Sequence, residues 1–308
     1  MTKNLENFLC NFHNKKYVNI VGNGTTALYL AIKSSNTKIK YVGVPNNSCI
    51  HLPIAVKLAN CIPVFLDIEK KGYGVDLNSL KNSNIDCFIN VHAYGKASKI
   101  DTIKKICEKR KIYLIEDVAV AQGGYFKKKP LGFFGEASIL SFGKGKVIDE
   151  GIGGAILTND LRIYNKSKRL SNKFGLVKKI NIKNINYLNN LHTKFYNDHF
   201  LKNKKVNFKK FKMLKNKKSK FFLFNISQKQ INNIYKRCCK LKLYIKNRRK
   251  NFAVLREKII KLNKKNIYIP KMNEGEIPWR LNIFFNDFKK RDSFLRKLLL
   301  EKVNVSSW

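Results

Sequence analysis

Between residues 17 and 158, short apolar runs recur, separated by turn residues and helical stretches. Tyr17–Val21, Tyr41–Val44, Ile62–Asp67, Cys87–Val91 and Ile112–Glu116 each read as a buried strand. The first leads into GNGTTALYLAIK, a glycine turn opening a helix, and the second ends in a proline turn before another helix. The amphipathic stretch Lys99–Arg110 reads as a crossover helix. Two further strands, Ala137–Phe142 and Gly153–Thr158, flank a glycine-rich turn that carries Lys146. Strands alternating with helices predict a mainly parallel sheet covered by helices, an α/β fold.

Beyond residue 160 the rhythm changes. Residues 161–220 are polar, lysine-rich and weakly periodic, which predicts helices with a long irregular excursion. From Ser227 to about Leu262, Ile231, Ile234, Tyr235, Leu241, Leu243, Tyr244 and Leu255 suit a long helix or a helix pair. A strand over Trp279–Phe285 and a helix over Arg291–Glu301 are expected to build a smaller terminal α+β unit. The expected division is a large domain over 1–225, then the long helix and a partial small domain over 226–308.

Composition adds a constraint on partners. Hydrophobic residues make up 44% of the 308, the composition of a globular chain. The 63 basic and 20 acidic residues give +43, and residues 161–270, with 33 basic and 2 acidic, hold +31 of it. Such an excess suits a polyanion such as nucleic acid, an anionic membrane or an acidic partner. The same stretch is crowded with Asn and Ile and lacks an Arg-Gly repeat, zinc-ligand spacing or an RNP-like aromatic string, so compositional drift is the favoured reading. Seven cysteines without a C-x-x-C spacing read as buried free thiols of a reducing compartment. The N-terminus lacks a long apolar h-region and no run of 18 apolar residues occurs, so a cytosolic, soluble protein is expected. No His, Cys and carboxylate cluster has metal-ligand spacing, and no structural metal is expected.

Three segments carry candidate chemistry. Gly22-Asn23-Gly24-Thr25-Thr26 joins a strand to a helix, where backbone N–H groups can bind a dianion; read alone, it is equally a glycine turn that only needs positive φ. In IEDVAVAQGG, Glu116 and Asp117 stand at the carboxyl end of an apolar strand, where open α/β sheets bind ligands. By itself Asp117 is better read as a helix N-cap. Ser141 closes a strand five residues before Lys146, and a lysine in a tight glycine-framed turn beside a phosphate cradle can lose its proton for imine formation, although any one lysine of so many is ordinarily solvated surface. His51 and His92 are expected to be satisfied, partly buried histidines.

Order and context bring these segments together. GNGTTALYLA, VPNNSCIHLPIAVKLANCIPVFLDIE, NVHAYGKASKID, IYLIEDVAVAQGG, SILSFGKGK, IPWRLNIFF and VNVSSW resemble the DegT and StrS family of sugar-nucleotide aminotransferases. These are enzymes of fold type I that use pyridoxal 5′-phosphate (PLP). SFGKGK and Cys49 resemble the branch in which SFG(R/K)GK replaces SFHxxK. The resemblance implies a Schiff base from Lys146 to PLP, with Lys146 also moving the proton between substrate and cofactor. It implies Asp117 at the pyridine nitrogen, Ser141 with Gly24, Thr25 and Thr26 at the phosphate, and Cys49 and Val120 beside the ring. Arg280 is the candidate for a substrate carboxylate. The implied reaction moves an amino group from an amino acid, usually glutamate, to a nucleotide-linked keto sugar, in a homodimer. Related dehydratases place histidine where this chain has Lys146, so the lysine points to transamination.

Several positions depart from the family pattern. Val120 stands where Gln or His is usual, with Gln122 two positions further on, Leu223 where a partner-subunit asparagine reaches the phosphate, and Ile152 where GEGG has its acid. Relatives generally continue beyond a segment like that ending at Trp308. These departures keep two alternatives open: a truncated, inactive relative with a binding role, and a polyanion-binding protein that uses 161–270.

Overall fold

The computed structural model describes residues 2–70, 72–200, 221–261, 267–303 and 305. In chain order the elements are α1 (Thr2–His13), β1 (Tyr17–Val21), α2 (Gly24–Lys33), β2 (Tyr41–Pro45), α3 (His51–Leu58), β3 (Ile62–Leu66), α4 (Leu77–Asn82), β4 (Cys87–Val91), α5 (Ile100–Arg110) and β5 (Tyr113–Asp117). The short β6 (Tyr125–Phe126) and β7 (Lys129–Pro130) form a hairpin, followed by β8 (Ala137–Ser141), β9 (Gly154–Thr158), α6 (Leu161–Ser171) and α7 (Lys179–Phe200). After residues 201–220, which lie outside the described residues, come α8 (Gln228–Cys238), α9 (Leu241–Lys261), β10 (Ile267–Tyr268), β11 (Phe284–Phe285) and α10 (Phe288–Leu300).

The chain divides into two compact units, each assembled from separated segments. The larger comprises residues 1–177, 222–252 and 272–280 and contains a seven-stranded sheet in the order β1-β9-β8-β5-β4-β2-β3. Neighbours pair in parallel from β8 through β5, β4 and β2 to β3, while β9 runs antiparallel to both β1 and β8. This is the mainly parallel α/β sheet expected from the strand–helix alternation. The smaller unit, residues 178–221, 253–271 and 281–308, contains α7, the β10–β11 pair and α10. Ring contacts Tyr268–Phe284 and Phe285–Phe294 tie the strand pair together and to α10. The long helical stretch after Ser227 is a pair, α8 and α9, and Ser227 closes a reciprocal capping box with Gln230 at the start of the first.

The sheet buries one core on each face. On one, Ala27, Leu28 and Ala31 of α2 and Ala55 and Val56 of α3 pack on Ile89 of β4, Ile115 of β5 and Ile139 of β8. On the other, Ile103 and Cys107 of α5 pack on Phe88 of β4 and Leu114 of β5. Because side chains alternate along a strand, Asp117 shares the face of Ile115, and Glu116 that of Leu114. The two adjacent carboxylates are thus sent in opposite directions.

Two expectations are corrected here. Only Phe284–Phe285 of the expected strand Trp279–Phe285 is a strand; Pro278 lacks the N–H that a ladder needs, and Trp279 and Arg280 form a bend. All seven cysteines are free, but Cys49 and Cys239 are exposed and Cys10 half-buried, because the first lies in the turn after β2 and the second caps the end of α8. No helix among the described residues is long and apolar enough to cross a membrane.

Helix α1, which the strand pattern did not predict, buries Leu5 and Leu9 one turn apart and delivers His13 and Lys15 into the protein. Nδ1 of His13 bonds the Leu131 carbonyl at 2.8 Å, and Nζ of Lys15 donates to the Gly135 carbonyl at 2.8 Å. Burial pushes the His13 imidazole down to about 4. Between pH 6.5 and 4 the unfolded chain therefore takes up a proton that the folded chain does not, and stability falls with pH across that window. Urea unfolding at pH 7 and pH 4.5 should show His13→Gln losing less stability than wild type, by on the order of 2–3 kcal/mol. Equal losses in the two proteins would refute this.

Candidate active site

The carboxyl ends of the parallel strands carry most of the candidate residues. Asn23, in extended conformation, caps α2: its Oδ1 accepts the Thr26 N–H at 2.7 Å. The hydroxyl of Thr26 donates to the Phe222 carbonyl at 2.7 Å, and Nδ2 of Asn23 to the same oxygen at 2.9 Å. Gly22 N–H donates to the Phe224 carbonyl at 2.8 Å. Thr26 is thus committed within the protein through both its amide and its hydroxyl. Thr25 is also buried, and its Oγ1 lies 3.1 Å from Nδ1 of His51, whose ring stands edge-on to Phe222.

Ser141 ends β8 on the same face as Asp117, since Ala137 and Ile139 share the core of Ile115. A Cβ on Gly24 would sit 3.0 Å from Cβ and 3.2 Å from Oγ of Ser141, so glycine is what allows the first turn of α2 to approach this strand end. One helix N-terminus and one hydroxyl are thereby brought together.

Asp117 is buried at the end of β5. Its Oδ1 accepts the Ala119 N–H at 2.9 Å, and its carbonyl accepts the His92 N–H at 3.1 Å. Burial raises the Asp117 carboxyl above its ordinary range, while the Ala119 amide and the charges of Lys146 and His92 pull it back. Lys146 is half-buried, and its ammonium lies 5.8 Å from the centre of the Trp279 indole. Lysine and aspartate thus share one electrostatic environment, although 29 positions separate them in the chain.

Polar contacts hold the loop around Lys146. Nε1 of Trp279 donates to the Gly145 carbonyl at 2.7 Å, and Arg248 of α9 donates to the carbonyls of Lys146, at 3.1 Å, and Trp279, at 3.0 Å. Asp149 accepts the Gly145 N–H at 2.7 Å and the Gly151 N–H at 3.0 Å. Trp279 is itself placed by backbone bonds, from its N–H to the Tyr94 carbonyl at 3.0 Å and from Ile277 N–H to the Gly95 carbonyl at 2.9 Å. Gly95 has φ +86°, and a Cβ there would overlap the Ile277 carbonyl oxygen at 1.6 Å. Arg280 is exposed, with its guanidinium carbon 4.4 Å from the Trp279 ring centre. The same indole therefore touches Lys146 and Arg280.

Other candidates are placed differently. Cys49 is exposed in the turn before α3, and Val120 is half-buried in the turn after β5. Asn225 donates to the carbonyls of Ser171, at 2.9 Å, and Phe174, at 3.0 Å, so its amide serves the fold; Leu223 is half-buried beside it. His92 is fully buried against Glu116 at 2.9 Å, the satisfied histidine expected. The sequence reading missed Trp279, Arg248 and the Phe222 carbonyl. The tryptophan next to Arg280 was the visible signal for the first; the others act through groups that no motif displays.

The sequence matches the DegT/DnrJ/EryC1/StrS aminotransferase family over residues 1–307. The chain belongs to that family. It is 33% identical over 162 residues to a GDP-perosamine synthase of Vibrio cholerae, covering 51% of this chain and 44% of that protein. It is 29% identical over 184 residues to the UDP-4-amino-4,6-dideoxy-N-acetyl-beta-L-altrosamine transaminase of Helicobacter pylori, covering 56% and 48%. The matched region is thus about half the length of these curated relatives. Among solved structures, Helicobacter pylori PseC, an aminotransferase of pseudaminic acid biosynthesis, superposes with a TM-score of 0.73 at 20% identity, covering 98% of this chain and 73% of that one. The Escherichia coli GDP-4-keto-6-deoxy-D-mannose-3-dehydratase with bound hydrated PLP gives 0.68 at 20% identity, covering 98% and 76%. These two likenesses establish the fold.

DegT-family aminotransferases are PLP-dependent, and the residues of this chain fit that cofactor. The turn that Gly24 opens toward Ser141 suits a phosphate. Asp117, whose carboxyl burial raises above its ordinary range, is a group that a cationic ring nitrogen beside it would pull back down. Among the described residues, no three His, Cys, Asp or Glu side chains cluster as a metal site.

Proposed function

We propose that this chain is a PLP-dependent aminotransferase that moves an amino group from an amino-acid donor, glutamate in the first instance, to a nucleotide-linked keto sugar. The observation that carries this reading is the shared environment of Lys146 and Asp117 at the carboxyl ends of β5 and β8. Bound PLP would supply an aldehyde to be tethered and a ring that accepts electrons. Lys146 is assigned as the tethering amine and as the group that moves the proton at the substrate carbon. Asp117 keeps the ring nitrogen protonated. The amides of Gly24 and Thr25, at the free end of α2, bind phosphate together with the Ser141 hydroxyl, while Thr26 stiffens that turn through Asn23 and Phe222. Arg280, whose guanidinium carbon lies 4.4 Å from the Trp279 ring centre, is assigned to pair with a substrate carboxylate. The identities of the relatives, a GDP-perosamine synthase and a UDP-sugar transaminase, support a nucleotide sugar as the acceptor.

The working form is proposed to be a cytosolic homodimer, consistent with free thiols and with exposed Ile62 and Phe65 on the edge strand β3. Mixing purified protein with PLP should give the near-visible band of lysine-tethered cofactor, and adding glutamate should convert it to the absorbance of the pyridoxamine form. A band that glutamate and other amino acids leave unchanged would replace this reading with that of a PLP-binding protein that does not turn over. No band at all would remove both.

A further inference from the structure

We propose that Gln122 is a positioning residue that locks the loop carrying Lys146 to the turn carrying Asp117, an inference that rests on the assignment of Lys146 above. Gln122 lies five residues past Asp117, is 1% exposed, and spans the base of the lysine loop with its side chain. Its Nε2 donates to the Ser141 carbonyl at 3.0 Å, and its Oε1 accepts the Ile148 N–H at 3.3 Å. Ser141 is the last residue of β8, and Ile148 lies two residues beyond Lys146, so one amide closes both sides of the segment that presents the lysine. A carbonyl requires a donor and an N–H an acceptor, which fixes the orientation of the amide.

Packing does not do this work at the tip of the loop. Gly145 has φ +80° with nothing within 4 Å of a Cβ position, and Lys144 and Gly145 are exposed. Trp279 and Arg248 grip the carbonyls of Gly145 and Lys146, but both belong to late segments of the chain. Gln122 is carried by the turn that follows Asp117, and it therefore sets the distance between the two groups that must flank the cofactor. Losing such registry lowers a rate through orientation rather than through chemistry.

The test uses the full chain, cofactor-free and PLP-loaded, as wild type, Gln122→Met and Gln122→Glu. Methionine keeps the length and loses both bonds, while glutamate keeps the acceptor for Ile148 and loses the donor. In cofactor-free protein, amide hydrogen exchange at Ile148 should rise about tenfold in Gln122→Met and less in Gln122→Glu, relative to amides of β4 in the same sample. In the loaded protein, the pH midpoint of the near-visible band should move by about one unit in Gln122→Met, and kcat should fall while the KM for glutamate changes little. If Gln122→Met fails to fold, Gln122→Glu carries both measurements. Wild-type exchange at Ile148 together with an unmoved midpoint overturns the proposal. Borohydride reduction and peptide mapping separate the two claims: a cofactor fixed to another lysine removes the Lys146 assignment, whereas the exchange result decides what Gln122 holds.

Discussion

Lys146→Ala should abolish the near-visible band of the PLP-loaded protein and lower transamination by roughly three to four orders of magnitude. Of the 63 basic residues 10 are arginines and 53 are lysines, so stray cofactor adducts are a real background and the substitution is informative only if one lysine differs from the rest. Three features set Lys146 apart: a half-buried side chain, an indole beside its ammonium, and a charge that acts on the buried Asp117. Lys146→Arg should lose the band as well, because a guanidinium keeps the charge but forms no imine under these conditions. Spectra of dialysed protein, with the rate of the glutamate half-reaction, decide the matter. A band of wild-type intensity in Lys146→Ala would show that the cofactor is held elsewhere.

Glu116→Ala should be the most destabilising of the substitutions considered, by about 3–5 kcal/mol. The carboxylate is fully buried and accepts from the amides of Gly132, at 2.8 Å, Phe134, at 2.6 Å, and Gly135, at 2.7 Å, while His92 lies 2.9 Å away. Burial raises its pKa, but the His92 contact and the amides outweigh burial and hold it below the ordinary carboxylate range. A folded pKa below the unfolded one means that this contribution is complete above the unfolded value and is lost as pH falls through the folded one. Truncation leaves three buried N–H groups and a histidine without their acceptor, in the loop that Lys15 also pins through the Gly135 carbonyl. Urea unfolding of cofactor-free protein at pH 7 should show the loss, and an unchanged midpoint would mean that the loop finds other acceptors. Glu116→Gln should be milder than alanine, since it fills the space and keeps one acceptor oxygen.

The central sheet was legible because its strands are short apolar runs, most of them closed by glycine, proline or a carboxylate, and each such run forms a strand within one or two residues of its expected limits. The terminal segment was not. Trp279–Phe285 has a strand-like composition, yet Pro278, the bend at Trp279 and the backbone bonds to Tyr94 and Gly95 take its first residues out of any ladder. Helix α1 precedes the strand–helix alternation on which the reading was built, although Leu5, Phe8, Leu9 and Phe12 form an apolar stripe at helical spacing. At the site, the motifs singled out Lys146, Asp117, Ser141 and Gly24. Which of the two carboxylates faces which side followed from strand alternation once the limits of β5 were known. Gln122 had been noticed only as a residue two positions from a family glutamine, since nothing in a linear pattern reveals that a side chain bridges two main-chain groups.

The bonds from Gly22, Asn23 and Thr26 to the carbonyls of Phe222 and Phe224 join segments about 200 positions apart. During synthesis on the ribosome the first of these partners is made early and the second late, at roughly 5–20 residues per second. A nascent chain therefore waits on the order of ten seconds or more with the opening turn of α2 incomplete. The turn at the start of α2 thus acquires these late partners only once more than two thirds of the polypeptide has been made.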